Sequence, residues 1–169
     1  MRKYQKNAAI FILVLMILSV ASASEGLINA TERITASPTT HTVTVNGEVV
    51  PFAAYNILGN NFFRLRDIAY VLNGTSGQFE IGWNEQNHTI SIVTGIPYTP
   101  VGNEMENAAY GGVSALLSNA TIIINGEETV LTAYVIEGSN FFRLLDLGYA
   151  LNFTVGWDPV AYTVIILTN

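Results

Sequence analysis

The sequence predicts an α+β fold made of two tandem β-β-α-β-β repeats, each a small antiparallel sheet packed on one short helix. Three observations carry this. Residues 46–73 and 125–152 align without a gap at an offset of 79, with 16 of 28 positions identical, and self-similarity at a fixed spacing marks a duplicated supersecondary unit. Within each copy the apolar pattern switches from period two to helical spacing and back. The turn residues recur at the same offsets in both copies.

Taken in order, Thr42-Val43-Thr44-Val45 alternates as a half-buried strand does. Asn46-Gly47, and Asn125-Gly126 in the second copy, fit a type I′ hairpin turn, because Asn and Gly tolerate the positive φ it requires. Return strands run through Tyr55-Asn56-Ile57 and Tyr134-Val135-Ile136, and Gly59 and Gly138 mark the next turns. A short extended piece, Phe62 to Leu65, leads into a helix of about two turns over Arg66 to Leu72. Leu65, Ile68, Ala69 and Leu72 form one apolar stripe, repeated by Leu144, Leu147, Gly148 and Leu151. Asn73-Gly74 and Asn152 suit left-handed helix caps. Phe79, Ile81 and Trp83 alternate as a strand that turns into Thr89–Ile92, and Phe153 to Trp157 turns at Asp158-Pro159 into Val164–Ile166. The first copy carries five extra residues, Gly74 to Gln78.

Around the repeats, the chain divides into a signal peptide (1–23), a flexible leader (24–40), repeat 1 (41–95), a Gly/Ala/Ser-rich connector (96–119) and repeat 2 (120–169). The N-terminus has a basic Arg2-Lys3…Lys6 region, thirteen apolar residues from Ala8 to Val20, and an Ala21-Ser22-Ala23 site. That order marks a secretory signal peptide cleaved between Ala23 and Ser24, the alternative being an uncleaved anchor. The run is shorter than the roughly 20 apolar residues a spanning helix needs, so no transmembrane span is expected after cleavage. Loss of the signal leaves four Arg, no Lys and thirteen acids, a net charge of −9. Such a chain repels polyanions, which argues against nucleic acid as a partner. Half the 169 residues are hydrophobic, too many for a disordered chain. The absence of Cys excludes disulfides and thiolate metal sites. Units of about 50 residues without such staples bury too little surface to be robust alone, so the copies are expected to pack together or to be covered by the connector.

The repeated motif contributes Asn61, Arg64, Asp67 and Trp83 in the first copy and Asn140, Arg143, Asp146 and Trp157 in the second. Arg64 with Asp67, and Arg143 with Asp146, read as ion pairs at the strand–helix junction, with each Asp where the helix dipole favours negative charge; the competing reading is a polar ligand clamp. Trp83 and Trp157 read as core or core-edge residues with the indole N–H satisfied. Arg66, whose counterpart is Leu145, and the recurrent Tyr55 and Tyr134 are the candidate ligand contacts, since aromatic rings can stack on sugars. His41 and His88 read as ordinary surface residues, and Glu104, Glu106, Glu127 and Glu128 as solvated charges. No residue is marked as catalytic, metal-binding or cofactor-binding, and no G-x-S-x-G elbow is present. The five Asn-x-Thr triplets are ordinary turn and strand-end sequences.

The segment NG…AYNILGNNFFRLRDIAYVLN…FEIGWNEQNHTISI, followed by IPYTPVG and the shorter second copy, resembles the copper amine oxidase-like N-terminal (stalk) domain of secreted and cell-envelope bacterial proteins. The resemblance covers nearly all of the chain after the signal. It implies a non-catalytic extracytoplasmic accessory module with a sheet wrapped against a helix. It carries no copper chemistry: two His and no Asn-Tyr dipeptide provide neither a three-imidazole site nor the quinone precursor. The function expected is a secreted module mediating interaction with a cell-envelope protein or polymer. The rivals are a carbohydrate- or small-ligand-binding protein and a cell-wall hydrolase.

Overall fold

The computed structural model describes residues 33–168. The expected signal peptide, the Ala23–Ser24 junction and residues 24–32 of the expected leader lie outside the described residues. No helix among the described residues is long and apolar enough to cross a membrane.

The chain forms β1 (Arg33–Pro38), β2 (Thr42–Val45), β3 (Glu48–Val49), β4 (Ala54–Ile57), β5 (Asn60–Arg64), α1 (Leu65–Leu72), β6 (Phe79–Asn84) and β7 (Thr89–Thr94). The second copy follows with β8 (Val113–Leu117), β9 (Thr121–Ile124), β10 (Glu127–Glu128), β11 (Ala133–Ile136), β12 (Ser139–Arg143), α2 (Leu144–Leu151), β13 (Thr154–Asp158) and β14 (Thr163–Leu167). Residues 33–38, expected to be leader, are thus a strand, and so are residues 113–117 of the expected connector.

The expected α+β fold class is corrected by this architecture. The described residues are 46% strand and 12% helix, and neither repeat makes a sheet of its own. β1-β4-β5-β12-β11-β8 close a six-stranded barrel, half from each copy. Two four-stranded sheets flank it, and each is also mixed: β10-β9-β7-β6 and β13-β14-β2-β3. The opening hairpin of each repeat leaves its own unit and pairs in parallel with the last strand of the other, β9 on β7 and β2 on β14. The physical reason is edge and surface economy. A lone unit this small would expose unpaired strand edges and half-covered faces, whereas exchange and closure pair those edges.

The Phe-Phe dipeptides show why the barrel wall holds together. Successive strand residues point to opposite faces. Phe62 and Phe141 therefore enter the barrel lumen with Tyr55, Ile57, Tyr134, Ile136, Ala36 and Ala115. Phe63 and Phe142 point outward into the main core beneath the helices. The lumen is filled by four equivalent pairs, and its aromatic edges meet across the copies: Tyr55 to Phe141 at 5.3 Å and Phe62 to Tyr134 at 5.2 Å. Phe63 pairs with its own counterpart Phe142, and Thr35 with Ser114, so an internal twofold passes through both seams. α1 and α2 pack on β5 and β12 at one seam and on β6 and β13 respectively.

Both hairpin turns are type I′ in sign, with φ of 52° at Asn46 and Asn125 and 89° and 88° at Gly47 and Gly126. Asn152 is left-handed at φ 61°, but Asn73 is extended, and Gly74 takes the positive φ as the five-residue insertion begins. Asn46 also ties the copies together. Its Oδ1 accepts from the Thr168 N–H at 2.9 Å and its Nδ2 donates to the Thr168 hydroxyl at 3.0 Å. Asn125 does the same to Thr94. Asn46→Gly preserves the turn and deletes the tie, so we expect a loss of about 1–2 kcal/mol. A urea midpoint unchanged from wild type would rule the tie out as a stabilising contact.

Candidate functional site

The twofold creates two equivalent grooves. In the first, Arg64 and Arg66 at the start of α1 and Gly82-Trp83 on β6 face Gly138-Ser139-Asn140 from the β11–β12 turn of the other copy, around about 220 Å3. In the second, Arg143, Leu145 and Gly156-Trp157 face Gly59-Asn60-Asn61, around about 300 Å3. Each groove therefore needs both repeats. Gly82 lies on the groove floor against Ser91, whose hydroxyl would have to rotate away to admit a Cβ there.

Trp83 and Trp157, expected in the core or at its edge, are surface residues, 53% and 45% exposed. The alternation beginning at Phe79 runs past the edge of the core: Phe79 is fully buried, Ile81 half-buried, and Trp83 lies beyond. Each indole is met edge-on by a histidine, His88 at 5.9 Å and His41 at 4.8 Å. Trp157 also meets Tyr162 at 6.2 Å. Tyr55 and Tyr134 are corrected in the opposite sense. Both are buried in the lumen, where the Tyr55 hydroxyl accepts the Ala109 N–H at 3.1 Å, so neither ring is offered to a ligand. Arg66 borders the first groove, but its Nη1 donates to Asn103 Oδ1 at 3.0 Å.

The motif asparagines sit on the groove rims. Asn140 Oδ1 accepts from the Ser118 hydroxyl at 2.8 Å. Asn61 Nδ2 contacts His41 Nδ1 at 3.3 Å, while Asn61 Oδ1 is buried with no partner among the described residues.

The two Arg–Asp pairs are local ion pairs, and their settings differ. Arg64 and Asp67 are 8% and 0% exposed. Arg64 Nε donates to Asp67 Oδ1 at 2.8 Å. Nη2 lies 2.8 Å from the same oxygen, in ionic contact without hydrogen-bond alignment. Met105 N–H also donates to Oδ1, at 3.1 Å, and Oδ2 finds no partner among the described residues. Arg143 grips Asp146 with two bonds, 2.8 and 2.6 Å, and those side chains remain 41% and 17% exposed. The hydrogen bond to Asp146, then its charge, raises the Arg143 pKa.

The expected solvated acids are partly structural. Glu106 lies 3.7 Å from Arg64, and Glu127 and Glu128 are exposed in β10. Glu104 locks a turn by accepting from the Tyr98 hydroxyl and the Val101 N–H, both at 2.7 Å, and from the Gly102 N–H at 2.9 Å. Desolvation opposes ionisation of Glu104, but the Val101 N–H, the Tyr98 hydroxyl and the Gly102 N–H outweigh it and hold its pKa down at about 2. Burial, then the Glu104 carboxylate, pushes the Tyr98 phenol above its ordinary range. A depressed folded-state pKa stabilises above the ordinary carboxylate value, and that stability disappears as pH falls through the folded value. The wild type is therefore expected to lose stability relative to Glu104→Gln between pH 4.5 and 2. Parallel urea midpoints across that window would refute the lock.

No group of His, Asp and Glu among the described residues is arranged to hold a metal ion. No protein family, curated protein or solved structure was found to match the chain. The stalk-domain resemblance therefore rests on the sequence motifs alone. In the sequence Asn61 and Asn140 stand out only as repeat motif, because the exchanged pairing that makes their turns complete the opposite copy's groove leaves no local signal. Tyr98 was missed as well; its signal was an aromatic residue between Pro97 and Pro100 at the start of the connector.

Proposed function

We propose that the chain is a secreted, non-catalytic accessory module that binds a repetitive saccharide polymer of the cell envelope through its two tryptophan grooves. The observation that carries this is the exposure of Trp83 and Trp157 at equivalent places, each opposite an asparagine turn of the other copy. An exposed indole offers a flat apolar face, and the facing side-chain amides suit hydroxyl groups. Two like sites on one rigid body favour a polymer that presents the same unit repeatedly, since the second contact is made at high effective concentration. The secretory N-terminus and the stalk-domain resemblance support the location and the accessory role.

Titration of purified cell-wall polysaccharide against indole fluorescence tests the reading. Trp83→Ala and Trp157→Ala should each weaken binding by at least about tenfold through lost avidity, and the double variant should not bind. Retention of wild-type affinity by the double variant would exclude the grooves.

A further inference from the structure

The two copies differ in what lies over the helix. On the first copy, residues 97–106 cross α1 as a strap. Tyr98 is only 5% exposed and belongs to the main core. Its N–H donates to Asn73 Oδ1 at 3.0 Å, and its carbonyl accepts from Asn73 Nδ2 at 3.1 Å. Thr99 donates to Glu80 Oε2 through its N–H at 3.0 Å and its hydroxyl at 2.6 Å. Asn103 accepts from Arg66, and Met105 donates to Asp67.

The equivalent surface on the second copy is bare among the described residues. Leu145, Asn152 and Thr154 stand where Arg66, Asn73 and Glu80 stand on the first. With Gly148, Tyr149 and Phe153 they border an open hollow of about 310 Å3. Tyr149 is 81% exposed there.

We propose that this hollow is the docking site for an extended peptide segment of a partner protein, which crosses α2 as the strap crosses α1 and seats an aromatic side chain in the hollow. The occupied copy supplies the template: an aromatic residue, and a carboxylate eight positions later that meets the junction arginine, as Glu106 meets Arg64 at 3.7 Å. Charge complementarity points the same way: Arg143, held by Asp146 beside the hollow, keeps 41% of its side chain open where Arg64 keeps 8%, so a cationic edge is left for a partner carboxylate. The chain's own residues 24–32 contain no aromatic residue, and the strap of a second copy is already bonded to its own α1. This mode lays main chain and one anchor residue along a preformed surface, which adjoins the second tryptophan groove at Leu145 and Arg143 but contains neither tryptophan.

The test is a calorimetric titration of the full exported chain with a synthetic peptide of residues 96–107, IPYTPVGNEMEN, and with its Tyr98→Ala form. Saturable binding that weakens at least tenfold without the tyrosine is expected. Asn152→Gly, which tolerates the positive φ of that position, should weaken binding. Leu145→Arg with Thr154→Glu, which restores the partners of Asn103 and Thr99, should tighten it at least tenfold. The substitutions lie on α2 and β13, so exchange of peptide with the resident strap on α1 would not reproduce their effects. Absence of saturable binding to the Leu145→Arg/Thr154→Glu variant overturns the proposal. Binding that appears only after removal of residues 24–32 assigns the hollow to the chain's own N-terminal segment and also overturns it. Dimerisation abolished by Asn152→Gly assigns it to a second copy, with the same consequence.

Discussion

Residues 33–95 produced without residues 96–168 will show no cooperative unfolding transition, and an equimolar mixture of the two halves will recover one. The expectation follows from the exchanged pairing. Alone, the first half keeps β1, β4 and β5 but loses β8, β11 and β12, so half the barrel wall and half the lumen are missing. β2 and β3 lose β14, and β6 and β7 lose β9. The fragment would expose long unpaired edges and the apolar faces of Phe62 and Phe63, a combination that favours aggregation over folding. Far-UV circular dichroism against urea, on each half and on the mixture, reads the outcome. A cooperative transition in either half alone, at the midpoint of the whole chain, would contradict the interleaved architecture.

The second large effect is an inequality between two residues that the repeat makes equivalent. Asp67→Ala leaves the Arg64 guanidinium buried with only the distant Glu106 carboxylate, and removal of one partner of a buried pair costs about 3–5 kcal/mol. Asp146→Ala strands an arginine that water already reaches, and exposed pairs contribute about 1 kcal/mol or less. Urea denaturation should therefore show Asp67→Ala as the far more damaging change. Arg64→Met combined with Asp67→Leu should recover much of the loss, because it removes the buried charge along with its partner. Equal midpoints for the two single variants would mean that covering the first pair with residues 105–106 does not matter energetically.

What could be read from the sequence was local. The duplication, both Asn-Gly turns, the helix stripes and the junction ion pairs each depend on residues within a few positions of one another. The barrel does not. Its seams join Arg64 to Phe141 and Arg33 to Leu116, and nothing in the alternation of Thr42–Val45 states whether its partner is a strand of its own repeat or β14. Burial was misjudged for a related reason. A run such as Phe79-Glu80-Ile81-Gly82-Trp83 shows which residues share a face, but not where the strand leaves the core, so the pattern alone puts Trp83 in the core or at its edge. Tyr55 and Tyr134 stand as candidate ligand contacts in the sequence because the lumen that buries them, lined by both copies, exists only after closure. The Phe-Phe dipeptides were the available clue, since strands buried on both faces read as continuous apolar runs. The helix is also too small a share of each repeat to define the fold class, and that is where the α+β expectation failed.

The pairing of β2 with β14 sets an order of events. Thr42 must wait for Thr163, and Asn46 for Thr168, 122 positions later. Contacts this remote in sequence make folding slow, and here they leave the β13-β14-β2-β3 sheet incomplete until β14 is made. During synthesis the barrel can close once β12 is made and the β10-β9-β7-β6 sheet once β10 is made, whereas the sheet that holds the first hairpin stays open until β14. The β2–β3 hairpin is thus the part of the first repeat left longest without its partner, an open edge that other strands can reach until β14 arrives.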